Sequence, residues 1–428
     1  MRLELGNIRI EDVQFGSNTE VKNHTLYVNK EELIALLSED ERLASVSIEL
    51  ARPGESVRIM PVKDVIEPRV KVEGPGGLFP GFISKLDQVG SGRTHVLKGA
   101  AVVTAGKVVG FQEGIIDMTG PAADYTPFAH TNNIVIVANP VEGLEQHGHE
   151  AALRIMGFKA ATYIAEAGRN VEPDEVKTYE VAPLFENVAK YPNLPKVVYV
   201  YMLQSQGLLH DTYYYGIDVK QMVPTLMYPT EIMDGAIVSG NCVSACDKNT
   251  TFHHLNSPVI YDLMEKHGKE ICFLGCVVTN ENVTLGDKQR SSNMVAKLVE
   301  FLGADGAVIS EEGFGNPDAD LIMNCTKVEK KGVKTVLVTD EYAGRDGASQ
   351  SLADADKLAD AVITAGNANE VVTLPPMKKL IGYAEPADTI AGGFDGSLKA
   401  DGSITVEIQA ITGATNELGF NKLTARGY

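Results

Sequence analysis

The feature that most constrains the fold is an alternation of short apolar runs and amphipathic stretches in the second half of the chain. Strands are predicted over residues 271–278, 307–310, 335–339 and 370–374, and helices over residues 287–302, 318–330 and 352–365. In helix 287–302, the apolar side chains of Met294, Leu298 and Leu302 follow helical spacing. Strands that alternate with helices of this length are typical of parallel sheets. The pattern therefore predicts a doubly wound, Rossmann-like α/β lobe.

The first half of the chain has a different pattern of apolar residues. Residues 1–125 are rich in strand patterns, as where Leu3, Leu5, Ile8 and Ile10 alternate with polar residues. After them, an apolar run at 134–138, a helical pattern at 145–167 and a second run at 197–203 predict a β-α-β unit with a parallel strand pair. The expected organisation is α/β, with a β-rich N-terminal domain over 1–125 and two Rossmann-like lobes over 126–241 and 242–428.

Composition excludes several classes of protein. The 428 residues contain 38 Lys and Arg against 57 Asp and Glu, a net charge of -19 that disfavours nucleic acid as a partner. The chain has no apolar stretch near the ~18 residues of a membrane span and no signal-peptide pattern at its start, so a cytoplasmic protein without a membrane partner is expected. The five cysteines are odd in number, which in a reducing compartment indicates free thiols.

The densest group of reactive side chains lies at residues 239–254, between the two predicted lobes. Gly240 precedes an Asn241-Cys242 bond, and glycine lets the backbone adopt conformations that an intramolecular attack requires. If the sulfur of Cys242 attacks the carbonyl of Asn241, the amide becomes a thioester. Elimination and hydrolysis would then leave a pyruvoyl group at residue 242 and separate fragments 1–241 and 242–428.

Several neighbours of this bond are candidates for helping the reaction. A histidine or lysine could act as base or lower the pKa of the thiol, and a histidine is expected to titrate nearest neutrality. The candidate catalytic residues besides Asn241 and Cys242 are Gly240, Cys246, Asp247, Lys248, Thr250, Thr251, His253 and His254. Which of them is the processing base stays open.

Two other interpretations of the same residues stay open on the residues alone. Cys242 and Cys246, with His253 and His254, could bind zinc, although structural zinc sites usually have closer cysteine spacing. Alternatively, the two cysteines are simply buried thiols.

Residues 240–251, Gly-Asn-Cys-Val-Ser-Ala-Cys-Asp-Lys-Asn-Thr-Thr, closely resemble the component B precursors of glycine reductase complexes, whose relatives serve sarcosine and betaine. The likeness continues into residues 1–8 and the second lobe. It implies that the bond between Asn241 and Cys242 is the processing point, that Cys242 becomes a covalent pyruvoyl cofactor, and that no metal is required.

The resemblance also implies an activity and partners. The pyruvoyl ketone would hold glycine or sarcosine as a Schiff base for reductive deamination toward acetyl phosphate and ammonia, with electrons from a thioredoxin-type donor. Expected partners are a selenoprotein subunit of component B and components A and C of the complex. The alternatives are a pyruvoyl-dependent decarboxylase and a non-catalytic two-lobed ligand-binding protein. Betaine has a quaternary nitrogen and cannot form a Schiff base.

Overall fold

The computed structural model describes residues 1–241 and 244–418, together with the backbone of residues 424–427. The strands of the first half are β1 Arg2–Arg9, β2 Asp12–Phe15, β3 Glu20–Lys22, β4 Thr25–Val28, β5 Leu43–Ala51, β6 Val57–Ile66, β7 Arg69–Glu73, β8 Gly92–Lys98, β9 Ala100–Gly106, β10 Gly114–Asp117, β11 Asn132–Pro140, β12 Glu175–Glu180, β13 Lys196–Leu203, β14 Thr212–Tyr214, β15 Ile217–Asp218, β16 Thr225–Met227 and β17 Ile237–Ser239. Those of the second half are β18 Cys272–Asn280, β19 Gly306–Ser310, β20 Lys334–Glu341, β21 Ala361–Asn367, β22 Val371–Leu374, β23 Lys379–Gly382, β24 Ile404–Glu407 and β25 Thr424–Gly427. The α-helices are α1 Lys30–Leu37, α2 Gln146–Ala165, α3 Leu184–Lys190, α4 Pro229–Met233, α5 Thr251–Leu255, α6 Pro258–Lys266, α7 Leu285–Leu302 and α8 Asn316–Glu329.

The N-terminal region is rich in strands, as predicted. Strands β12, β1, β8 and β7 form a four-stranded sheet, and β10, β6, β9, β11 and β5 form a mixed sheet that β23 joins by pairing with β6. Helix α2 packs against this mixed sheet. A Cβ atom at Gly157 would lie 2.8 Å from the side chain of Thr104, so glycine at this position lets α2 approach β9 closely.

The Rossmann-like sheet predicted for the second half is present and is larger than expected. Its strand order is β16-β18-β13-β19-β20-β21-β25, and the five central strands are parallel. On one face, α7 and α8 pack with Val295, Val299 and Leu321 inward. On the other face, Tyr199 and Tyr201 pack among apolar side chains that include those of α6. Both faces of the parallel strands are therefore covered, which explains their continuous apolar sequences.

Strand β13 corrects the predicted β-α-β unit. It was expected to pair with the strand at 134–138, but that strand, β11, lies in the mixed sheet between β9 and β5. Strand β13 instead lies between β18 and β19. The strands of residues 126–241 are thus divided among several sheets and do not form a Rossmann-like lobe of their own. The boundaries at residues 125 and 241 stay a prediction.

The helix predicted over residues 352–365 was also wrong. Ala361–Asn367 is strand β21, and the residues before it form a loop. The side chains of Asp354 and Asp356 accept hydrogen bonds from nearby backbone N–H groups, which competes with helix formation. Strand β22 exists where expected, but it pairs antiparallel with β24 outside the large sheet.

Three cysteines belong to the hydrophobic core. Cys272, Cys276 and Cys325 are free thiols buried against the large sheet. Across the described part of the chain, no helix combines the length and the apolar character that crossing a membrane requires.

Candidate active site

Asn241 is the last described residue before the predicted processing point. Strand β17 leads directly into Gly240 and Asn241, and the Asn241 side chain is buried. The next described residue is Ser244. Cys242, the predicted source of the pyruvoyl group, therefore lies outside the described residues together with Val243.

The backbone before the predicted cut is tightly packed and strained. The N–H of Gly240 donates to the carbonyl oxygen of Asp211 at 2.6 Å. A Cβ atom at Gly240 would lie 2.2 Å from the carbonyl oxygen of His210, so only glycine fits. Asn241 follows with φ at 77°, a left-handed conformation that costs a non-glycine residue about 1 to 3 kcal/mol. Such strain occurs preferentially at functional sites.

Glu150 of helix α2 contacts the Asn241 side chain. Its Oε1 accepts a hydrogen bond from Asn241 Nδ2 at 3.4 Å and another from Arg154. Burial raises the pKa of Glu150, and the charge of Arg154 opposes that shift. This carboxylate was not among the predicted site residues, because it lies 91 residues before Asn241 and no local pattern connects the two.

Thr250 and Thr251 begin helix α5 and join it to the strand before the cut. The Thr250 side chain accepts from the N–H of His253 at 3.3 Å as the helix cap. Thr251 Oγ1 accepts from the N–H of Ser239 at 3.1 Å and donates to Asp64 Oδ2 at 2.7 Å. Burial raises the pKa of Asp64 to about 6, with the charge of nearby Lys248 opposing. Both threonines thus have structural contacts beside the predicted cut.

The two histidines of α5 differ from the prediction that one of them titrates near neutrality. Both are fully buried, and burial lowers their pKa values, that of His254 to about 3 and that of His253 well below its ordinary value. His254 Nδ1 lies 2.6 Å from the hydroxyl of Tyr201, and His253 Nδ1 lies 2.9 Å from Thr250 Oγ1. Both rings are therefore neutral at pH 7. A role for either as proton carrier stays a prediction.

The remaining candidates within residues 239–254, which we call the processing loop, are also buried. Lys248 Nζ donates to the carbonyl of Lys63 at 2.7 Å. Cys246 Sγ lies 3.2 Å from the hydroxyl of Tyr342, and burial raises the pKa of its thiol. Burial also raises the pKa of Asp247 to about 7. These groups lie in a desolvated environment, where a charge interacts more strongly than in water.

Residues 413–417, which we call the clamp, hold this loop in place. The N–H of Thr415 donates to the carbonyl of Cys246 at 3.1 Å. The side chain of Asn416 donates to Asn249 Oδ1 at 2.8 Å. The loop that carries the predicted processing point is thereby fixed to a segment far away in the sequence.

A cavity of about 200 Å³ lies beside the loop, at the carboxyl ends of β13 and β19 and at the beginning of α8. Ligands of open α/β sheets bind at this edge. Asp247 and Ser244 form the part of the wall that comes from the processing loop. The full lining is Gln112, Gln204, Gln206, Gly207, Ser244, Asp247, Gly313, Phe314, Asn316 and Pro317.

Buried acids at the same edge of the sheet were missed by the sequence analysis. Glu281 and Glu312 follow the predicted strands 271–278 and 307–310, and Asp340 follows 335–339. Burial raises the pKa of Glu312 to about 8. Its Oε1 accepts from the N–H of Asn249 at 2.9 Å, so this carboxyl contacts the processing loop. Acidic residues directly after predicted parallel strands were the signal that could have identified them.

Comparison with known proteins connects this site to a family. The family model described as glycine/sarcosine/betaine reductase component B subunits matches residues 1–426. The glycine reductase complex component B subunits alpha and beta of Acetoanaerobium sticklandii are 70% identical over 430 residues, and those of Peptoclostridium acidaminophilum are 68% identical over 428 residues. The sarcosine reductase complex component B subunit alpha of Peptoclostridium acidaminophilum is 62% identical over 428 residues. Each comparison covers 100% of both chains, and no solved structure matches.

The family match spans every element that builds the site, from β6 with Asp64 to the clamp. It agrees with the resemblance found in residues 240–251. The chain therefore belongs to the family of glycine, sarcosine and betaine reductase component B subunits.

Proposed function

We propose that the chain is a self-processing proenzyme and the substrate-binding component B of an amino-acid reductase of the glycine reductase type. The bond between Asn241 and Cys242 is cut, and Cys242 becomes a covalent pyruvoyl group. The observation that carries this proposal is the strained Asn241 behind Gly240, three residues before the cavity wall at Ser244. Support comes from relatives in which one chain is named for two subunits, alpha and beta.

The processing reaction starts with the sulfur of Cys242 attacking the Asn241 carbonyl. The C–N bond of the amide breaks as a C–S bond forms, and the freed nitrogen takes up a proton. The left-handed backbone of Asn241 lies directly before the bond that breaks. The contacts of Gly240 with Asp211, and of Thr251 with Ser239, keep the strand before the cut in place while the reaction proceeds.

The substrate proposed for the mature site is glycine or sarcosine. The pyruvoyl group would supply a ketone that holds the substrate amine as a Schiff base and draws electrons from its C–N bond. The cavity of about 200 Å³ suits a small amino acid. Its wall includes the beginning of helix α8 and the Asn316 amide, a suitable place for the substrate carboxylate.

The reaction needs partners that this chain does not supply. We propose a selenoprotein subunit of component B as the nucleophile for C–N cleavage, with components A and C carrying the product toward acetyl phosphate. The amine is released as ammonia from glycine or as methylamine from sarcosine. The electrons come from a thioredoxin-type donor. A cytoplasmic location is part of the same proposal.

Processing can be tested by the intact mass of the purified chain and by N-terminal sequencing. Two fragments that meet at Asn241 and Cys242 are expected. Cys242→Ala should stay uncut and inactive, because alanine offers neither nucleophile nor leaving group, and Cys242→Ser should be cut slowly. The buried thiol Cys325 gives a matched control, since Cys325→Ala should be cut normally. A Cys242→Ala chain that is uncut but fully active would contradict the proposal.

Substrate binding can be tested by reduction with borohydride in the presence of labelled glycine or sarcosine and the partner subunits. The label should be trapped on fragment 242–428, with loss of activity. Release of carbon dioxide in place of ammonia would favour a decarboxylase. Reversible glycine binding to a chain that remains in one piece would favour a non-catalytic binding protein.

A further inference from the structure

Cys246, Asp247 and Asp340 bring three potential metal ligands together. The Sγ atom of Cys246 and one carboxylate oxygen of each aspartate all lie within 4.8 Å of one another. Cys246 and Asp247 belong to the processing loop, and Asp340 lies in strand β20. Each of the three side chains is at most 1% exposed. The group thus combines one thiol and two carboxylates in the interior of the protein.

Asp247 provides a second observation that points to a bound cation. Within the described part of the chain, neither of its carboxylate oxygens has a hydrogen-bond partner, and Asp340 Oδ1 has none either. Asp340 Oδ2 accepts from Thr415 Oγ1 at 2.8 Å, which fixes the orientation of that carboxylate. A buried carboxylate without a donor or a cation is costly.

Two other buried carboxylates of this chain are neutralised by arginine. Asp117 accepts two hydrogen bonds of 2.7 Å from Arg58, and Glu67 accepts bonds of 2.9 and 2.6 Å from Arg69. Asp247 has no such partner among the described residues. An ion bound between the three side chains would take the place that arginine has in the other pairs.

We propose that Cys246, Asp247 and Asp340 form a binding site for zinc. Oxygen-preferring cations such as magnesium and calcium rarely use sulfur, whereas zinc binds thiolate and carboxylate together. On binding, the Cys246 thiol releases its proton to solvent and its sulfur donates an electron pair to the metal. Three protein ligands leave one of the four usual zinc positions open.

An ion bound to Asp247 would lie beside the cavity, because Asp247 forms part of the cavity wall. Asp247 is both a proposed ligand and part of the cavity wall. The ion would therefore put positive charge beside a space otherwise bordered by an acidic side chain. This consequence, unlike the metal site itself, rests on the proposed function, in which a ligand with a carboxylate enters the cavity.

The site can be tested on the full chain by removing metal with a chelator and titrating zinc against a chromophoric chelator. One tightly bound zinc ion per chain is expected. Cys246→Ser and Asp340→Asn should each weaken binding at least about tenfold, whereas Cys325→Ser, which changes a buried thiol elsewhere, should not. Cobalt(II) in place of zinc should give a sulfur-to-cobalt charge-transfer band that Cys246→Ser removes and Asp340→Asn keeps at higher cobalt concentration.

Two results would overturn the proposal: a wild-type chain without a stoichiometric zinc ion, or an Asp340→Asn chain with unchanged affinity. Circular dichroism of each variant separates loss of the site from loss of the fold, and Asp247→Asn gives another folded variant if one fails. Cys242 is not among the three proposed ligands, so Cys242→Ala should bind zinc even if it is never cut. Failure of processing and failure of the metal site are thereby distinguished.

Discussion

Cleavage between Asn241 and Cys242 is expected to leave the two fragments firmly bound to each other. Strand β13 belongs to fragment 1–241, yet it lies between β18 and β19 of fragment 242–428. In the opposite direction, β23 of the second fragment pairs with β6 of the first. Each fragment therefore completes a sheet of the other.

The strength of this association can be worked out from strand β13. Its side chains from Val198 to Leu203 are all 0% exposed. At about 1.5 to 3 kcal/mol for each fully buried apolar side chain, withdrawing the strand would cost on the order of 10 kcal/mol or more. A nanomolar Kd corresponds to about 12 kcal/mol, and the pairing of β23 with β6 adds to the contribution of β13. The fragments should stay together at micromolar concentrations and below.

The assay compares denaturing and native conditions. Cut protein should give two bands on a denaturing gel and one peak containing both fragments in native size-exclusion chromatography. The uncut Cys242→Ala chain should elute at the same volume. Fragments that separate in native buffer at micromolar concentration would refute the reasoning, because β13 could then leave the sheet at little cost.

Three further predictions concern the surroundings of the cut. Thr251→Val should lower the free energy of unfolding by roughly 2 to 4 kcal/mol, because it removes the hydrogen bonds that Thr251 Oγ1 makes with Asp64 Oδ2 and with the N–H of Ser239. Chemical denaturation measures this change, with the exposed Thr373→Val as control. Gly240→Ala should give one uncut band on a denaturing gel, because its Cβ would lie 2.2 Å from the carbonyl oxygen of His210. Gly286→Ala should be cut normally, because its Cβ would meet no neighbouring group within 4 Å. Burial raises the pKa of Asp64 from its ordinary 3.8 to about 6, so the protonated carboxyl stabilises the fold at low pH. As pH rises from below 3.8 to above about 6, the free energy of unfolding should fall by about 3 kcal/mol relative to that of Asp64→Asn. Equal pH dependence of the two chains in denaturation experiments would contradict this last prediction.

Local patterns predicted the elements whose burial follows helical or strand spacing. Helix α7 was expected at 287–302 and is present at Leu285–Leu302, because its apolar side chains recur on one face. The same reasoning failed at 352–365, where apolar residues at helical spacing belong to a loop and to strand β21. Strand β21 pairs with the adjacent strand β20, and the spacing of apolar residues does not reveal this contact.

The site was only partly predictable for a similar reason. The loop at residues 239–254 was evident from its composition. Its supporting contacts connect distant parts of the chain, such as Asp64 with Thr251, which are 187 residues apart. The sequence also does not reveal how deeply a residue is buried. For that reason one of the two histidines was expected to titrate near neutrality, whereas burial lowers the pKa of His254 to about 3.

The clamp has a consequence for the timing of maturation during synthesis. Asn249 accepts from Asn416 and donates to Glu417 at 2.6 Å, a residue that the ribosome adds 168 positions later. Until the clamp has emerged, the loop lacks the contacts that shape it, even though the bond to be cut was made long before. The proposed maturation is thus expected to wait until residues 413–417 have emerged. A translation product that ends before residue 413 should remain uncut.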